Sequence, residues 1–154
     1  MRQATVGADN AVYSYDALRR RVKKTFQGAS TVFVYDGWRC VSEYENGSLP
    51  AAPARDYVFG TYLDEPLCIV TAPAGAATRR YVHTDHLYSV YALTDAAGAV
   101  VERYRYTAYG AVTVLTAAFA PKADPNYSEF GNPWTYTGQR LDKETGLLYL
   151  LNRY

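Results

Sequence analysis

The chain has 154 residues and is 49% apolar by count, enough for one domain with a core and too apolar to be disordered by composition. Sixteen basic residues against fifteen acidic ones leave a net charge of +1, which argues against a dedicated nucleic-acid binder. No apolar run approaches the ~18 residues of a membrane span, and Met1-Arg2-Gln3-Ala4-Thr5-Val6 lacks the apolar stretch of a secretory signal.

Sixteen tyrosines against one methionine lean the chain to all-β, because tyrosine, with valine and threonine, suits a pleated, half-buried surface. Residues 12–16 alternate and end on an acidic turn residue; 21–26 follow, and Gln27-Gly28-Ala29-Ser30 turns the chain. Residues 31–35 form the clearest strand of this half. Residues 38–44 form the next, with Trp38, Cys40, Ser42 and Tyr44 on one face. Asn46-Gly47 signals a hairpin, lengthened by Pro50 and Pro53. Strands over 57–62 and 67–70 flank an Asp64-Glu65-Pro66 break, and 71–78 make a small-residue loop.

Further strands cover 79–83, 89–94 and 100–106, with Asp95-Ala96-Ala97-Gly98 as a turn. Tyr104 and Tyr106 share one face of their strand, Arg103 and Arg105 the other. Residues 111–120 read as strand or as a short helical turn. Pro121, Pro125 and Pro133 make 121–133 an irregular surface loop. Strands are expected at 134–137 and 147–154, with a turn at 142–146 between them. The last strand is apolar on both faces at first, so something should cover it. The total of roughly ten short strands, without a helical period, fits a sandwich, barrel or β-solenoid.

Tyr15-Asp16 recurs as Tyr35-Asp36, 20 residues on, and Tyr104-Arg105-Tyr106-Thr107-Ala108-Tyr109-Gly110 is a further echo. These segments resemble the YD-repeat proteins, specifically the RHS repeat-associated core region. Tyr81-Val82-His83-Thr84-Asp85-His86-Leu87, continuing to Ala92-Leu93-Thr94-Asp95 and Gly98, is similar to the most recognisable part of that core. Tyr136-Thr137-Gly138-Gln139-Arg140, then Glu144-Thr145-Gly146-Leu147 through Asn152-Arg153-Tyr154, resembles its end. The resemblance implies an antiparallel sheet of successive hairpins wound into a shell, which in family members encloses a toxic domain. It implies a secreted or cell-surface setting. It divides the chain into repeat strands (1–70) and a core-like region (71–154) in one continuous β structure. The repeat glycine is replaced by Arg19 and Tyr88, and the aspartate by Thr107. The family's downstream self-cleaving aspartates have no match here, so neither a toxin nor a self-cleaving site is expected within these residues.

Other constellations carry blander readings. His83, Asp85 and His86 fit no metal-ligand spacing and read as a polar turn. The basic run Arg19-Arg20-Arg21-Val22-Lys23-Lys24 reads as a solvated or edge-protecting strand, with Arg21 opposite Val22 and Lys24. Exposed tyrosines could stack on sugar rings, with cross-strand ladders as the simpler alternative. Asp124, Glu129, Asp142 and Glu144 lie in expected loops with nothing to pair them for acid–base catalysis. Cys40 and Cys68 read as two buried hydrophobes, a single bridge being the alternative, and the Gly75 loop lacks the lysine of a phosphate loop.

The expected fold is therefore an all-β, antiparallel YD-repeat sheet or β-solenoid, with a structural role. No catalytic, cofactor or metal residue is expected. The residues expected to carry the structure are Tyr15, Asp16, Tyr35, Asp36, Tyr104 and Tyr106 in the repeats. In the core-like end they are Tyr136, Gly138, Arg140, Gly146, Tyr149 and Arg153. Leu147, Leu148, Tyr149, Leu150 and Leu151 are the expected self-association strand. The expected partner is a second copy or the rest of a shell. A carbohydrate-binding module and an inactive remnant of a self-processing core are the alternatives.

Overall fold

The computed structural model describes residues 2–6, 9–47, 53–71 and 76–151. The strands in chain order are β1 (Arg2–Val6), β2 (Asp9–Tyr15), β3 (Arg21–Phe26), β4 (Ala29–Asp36), β5 (Arg39–Glu45) and β6 (Arg55–Phe59). They continue as β7 (Pro66–Thr71), β8 (Thr78–Thr84), β9 (Val90–Thr94), β10 (Val100–Tyr106) and β11 (Val112–Thr116). These form one eleven-stranded antiparallel sheet in which every strand neighbours its sequence neighbours, with β1 and β11 at the ends. It is an open, solenoid-like sheet rather than a closed barrel. β12 (Arg140–Asp142) and β13 (Leu147–Tyr149) form a separate hairpin.

Many sheet hairpins close with one repeated turn. Its first residue is Asp16, Asp85 or Asp95, whose Oδ1 accepts the backbone N–H groups two and four residues on, at 2.8–2.9 Å. At Thr107 and Thr116 the hydroxyl accepts the amide four residues on. The fourth residue takes the left-handed conformation: Gly98 (φ 81°) and Gly110 (φ 84°), but also Arg19 (φ 66°), Tyr88 (φ 64°) and Phe119 (φ 64°). The turn therefore persists where the repeat's glycine or aspartate is replaced. Arg19→Gly should stabilise the chain by about 1 kcal/mol, a melting shift of roughly 2–4 °C. Asp95→Ala should cost about 1–2 kcal/mol. Thermal melts of both variants check the pair. Asp36 instead pairs with Arg39 across the two-residue turn Gly37-Trp38.

Register shifts recur at one end of successive hairpins: Ser14/Tyr15, Val34/Tyr35, Val58/Phe59 and His83/Thr84. Each inserts one residue and inverts the side-chain phase beyond it. This corrects two expectations. Cys40 joins the core with Phe33, whereas Ser42 pairs with Val34 on the other face. Arg21 pairs with Tyr15 and Lys24 with Tyr13, so both basic side chains share the tyrosine face, and β3 is an interior strand.

One face of the sheet is covered by the chain's own C-terminal part. Phe33, Cys40, Tyr57, Ile69, Val82, Val90, Leu93, Tyr104 and Val114 form the core together with Trp134. Each fully buried large side chain contributes about 1.5–3 kcal/mol. The strand expected at 134–137 is not formed: Trp134 makes an isolated bridge to Arg140, and Tyr136–Gly138 is a 3-10 turn with Thr137 at φ 50°. The last strand spans only Leu147–Tyr149, and Asn152, Arg153 and Tyr154 lie outside the described residues. Strand β1 was not anticipated from the sequence. Both cysteines are free and buried.

Candidate functional site

The covered face is built around buried charges. Arg21 is 0% exposed, and its guanidinium donates to the Asp142 carboxylate, itself 1% exposed in the side chain. Tyr13, Phe33 and Tyr149 surround that guanidinium at 5.2, 4.8 and 4.5 Å from their ring centroids. The Arg21 N–H donates to the Tyr149 hydroxyl at 3.0 Å, and the Tyr35 hydroxyl donates to the Arg21 carbonyl at 2.9 Å. Lys24 Nζ donates to both Glu144 oxygens at 2.9 Å and lies 3.8 Å from Asp142 Oδ1. Strand β3 is thereby fastened to the β12–β13 hairpin through two cations, Arg21 and Lys24. Burial, helped by the Asp142 charge, pushes the Tyr13 hydroxyl up to about 12, so it stays protonated.

A second lock lies alongside. Arg140 pairs with Glu43, which also accepts from Arg55 at 2.9 Å and from the Tyr57 hydroxyl at 2.7 Å. The Arg140 guanidinium sits over Phe33, Tyr57 and Trp134. Burial pulls it below its ordinary value, yet an arginine keeps its charge. Trp134 meets Tyr57 and Phe59 edge-on at 5.5 and 5.3 Å. Desolvating such groups is costly unless each charge finds its partner, so the two pairs fix one placement of the covering segment.

Polar side chains align the rest. Asn132 Nδ2 donates to the Tyr104 hydroxyl at 3.0 Å, and the Tyr106 hydroxyl donates to the Val90 carbonyl at 2.7 Å. The Val90 N–H donates to the Thr135 carbonyl, and the Thr137 N–H to Ser89 Oγ. At the β11 end the sheet edge is closed by the chain itself. Leu115 bridges to Pro121, and the Val114 N–H donates to the Pro125 carbonyl. Between sheet and cover lies a cavity of about 260 Å³, lined by Lys24, Glu43, Arg55, Asn132, Arg140 and Asp142 among others. Its charges are of both signs and mostly paired across it.

Glu102, wholly buried in β10, accepts from Ser128 Oγ at 2.8 Å and lies 3.7 Å from Lys122 Nζ. Burial pushes its carboxyl above the usual range. A carboxyl whose folded value is raised stabilises the fold while protonated and loses that contribution as pH rises through the folded value. Glu102→Gln should therefore raise the melting temperature by a few degrees near neutral pH and remove this part of the pH dependence. Melts of both proteins between pH 4 and 8 read it directly.

Tyr35, Tyr104, Tyr106, Arg140 and Tyr149 line the covered face, while Asp16 and Gly146 sit in turns. Tyr15 is half-buried on β2, and Tyr136 packs on Tyr106 with ring centroids 5.6 Å apart. Tyr149 is buried, whereas Leu147 is exposed. Asp142, expected in a loop, lies in β12, and Glu144 follows it in the turn. Sequence reasoning did not single out Glu43, Tyr57, Glu102 or Trp134. His83 bonds Thr94, and Asp85 is engaged in its turn. Among the described residues no group of three or more His, Cys, Asp or Glu is placed to hold a metal ion.

No family model matches the chain. It is 30% identical over 144 residues to the tRNA(Glu)-specific nuclease WapA of Bacillus subtilis subsp. natto, and 29% identical over 144 residues to the tRNA nuclease WapA of Bacillus subtilis strain 168. Each match takes 94% of this chain and only 6% of the relative's length. Among solved structures, the crystal structure of TcdB2-TccC3 shares the fold with a TM-score of 0.64 at 19% identity, over 100% of this chain and 8% of that one. The chain is a partial, repeat-region homologue of RHS/YD-repeat proteins.

Proposed function

We propose that this chain is a structural wall: a shell or scaffold segment of the RHS/YD-repeat type that works by holding a sheet rigid. The observation that supports this best is the sealed face. Charges that elsewhere could serve chemistry, Arg21 with Asp142 and Arg140 with Glu43, are spent on locking the chain's own cover to its own sheet. The two sheet edges also differ. The β11 edge is closed by residues 121–125, whereas among the described residues nothing pairs with the outer edge of β1. Bare edges add strands, so β1 is where the rest of a shell, or a second copy, continues the sheet. Enclosure of a toxic domain would be the work of that larger shell.

The experiment has two arms. Because the matched relatives are named tRNA nucleases, the purified chain is incubated with tRNA and magnesium and the RNA followed on gels; intact RNA is expected. Cleavage that survives repurification would overturn the structural reading. In the second arm, light scattering should show mass rising with concentration, less steeply in a Gln3→Lys/Thr5→Lys variant that charges the open edge.

A further inference from the structure

A scaffold makes no use of the cavity of about 260 Å³ between sheet and cover. Its floor includes the buried side chains Glu43, Asn132, Arg140 and Asp142, and its mouth the exposed residues Ala29, Asn46, Asn126 and Lys143. It therefore opens to solvent beside the β3–β4 turn and the turn of the β12–β13 hairpin. One bridging water needs roughly 10–15 Å³ of such space, so the cavity admits a molecule of several heavy atoms. It stands just below the ~300–1,000 Å³ of pockets for drug-sized ligands, so the guest is small.

Four cationic and four carboxylate side chains line the cavity, so its walls sum to no net charge. Most of that charge is already matched. Lys24 pairs with Glu144, Arg55 with Glu43 and Glu45, and Arg140 with Glu43. Two buried atoms are left over. Arg140 Nη1, a donor, and Asp142 Oδ1, an acceptor, have no hydrogen-bond partner among the described residues. Lys24 Nζ stands 3.8 Å from that oxygen, beyond hydrogen-bond reach. Arg140 is 7% exposed and Asp142 1%, so leaving either bond unmade is costly. The two residues stand on one side of β12, about 6–7 Å apart along the strand.

We propose that the cavity binds a free α-amino acid as its zwitterion, the carboxylate accepting from Arg140 Nη1 and the ammonium donating to Asp142 Oδ1. The two charged groups sit on one carbon, and a hydrogen bond of about 2.8 Å at each end matches the spacing of the two positions. Charge decides between guests. A lone anion or cation would lose its hydration inside walls that offer no net counter-charge. An apolar guest would leave both atoms unsatisfied. A zwitterion brings both signs and adds none. Its two charge-assisted bonds are each roughly twice as strong as those of a neutral alcohol or of water. The side chain of the guest is uncharged, because the remaining wall charges are already paired. The site goes beyond the scaffold role and does not depend on it.

Thermal melts of the whole chain test this with each standard amino acid at about 10 mM, and titration calorimetry follows for any that raises the melting temperature. At least one with an uncharged side chain should bind, one molecule per chain, and raise the melt by several degrees. Its amine and acid counterparts, lacking the carboxylate or the ammonium, should bind about tenfold more weakly or worse. Substituting Arg140 or Asp142 would disturb the fold, so the site is tested at its mouth. Ala29→Trp and Asn126→Trp should each weaken binding about tenfold without lowering the melting temperature of the free chain. If no amino acid binds at that concentration, the cavity holds water only and the proposal is overturned. Equal binding of the amine or the acid, or binding that both mouth variants leave unchanged, overturns it as well.

Discussion

Asp142→Asn is expected to lower the stability of the chain by about 3–5 kcal/mol, because it leaves the Arg21 guanidinium buried without a full counter-charge. The loss approaches the whole stability of an ordinary domain, about 5–15 kcal/mol, and corresponds to a melting shift on the order of 10 °C. Lys24 cannot compensate, since it adds positive charge to the same place. The paired replacement Arg21→Met with Asp142→Leu removes both charges and should recover most of the loss. Urea denaturation of wild type, single and double variants separates the outcomes. A single-variant loss below about 1 kcal/mol, the range of an exposed pair, would contradict the burial argument.

Gly138→Ala is expected to cost about 2–4 kcal/mol. Gly138 has φ 67°, and a Cβ there would stand 2.7 Å from the Asp64 Cβ and closer still to the Asp64 backbone. That backbone belongs to the β6–β7 connection, closed by the Gly60 N–H donating to the Glu65 carbonyl. It therefore cannot retreat without opening the hairpin. Gly146 is the internal comparison: its φ is 68°, but nothing lies within 4 Å of an added Cβ. Gly146→Ala should cost only the backbone strain, about 1 kcal/mol. Equal effects at the two positions would mean that the 3-10 turn is not seated on the sheet.

Much of the sheet was legible because its strands obey simple alternation between turn signals, as at Tyr104 and Tyr106. The repeated turn was legible through its aspartates, and its tolerance of Arg19 and Tyr88 was not, since left-handed backbone in such residues has no sequence mark. Faces were misjudged wherever a bulge intervened. Arg21 and Cys40 each stand directly before one, and the single inserted residue, Val22 or Val41, puts each out of phase with the strand beyond it. The buried charges were the least legible. Arg21 and Asp142 are far apart in sequence, and nothing in one chain's sequence announces that a basic residue of β3 will meet an acidic residue of β12. A clue was present in Arg140 and Asp142, two residues apart and so on one side of a strand. Strand β1 carries no apolar alternation strong enough to declare it, and it gains its order by pairing with β2.

The central claim is that sheet and cover are one cooperative unit, locked by the Arg21–Asp142 and Arg140–Glu43 pairs. Native-state hydrogen exchange tests it most directly. The Leu141 amide, bonded to the Pro133 carbonyl, and the Thr135 amide, bonded to the Gln139 carbonyl, report on the cover. The account predicts that they exchange with the same opening free energy as amides of β3 and β5, and that Asp142→Asn lowers both sets together. Rapid exchange of the cover over a sheet that stays protected would contradict it.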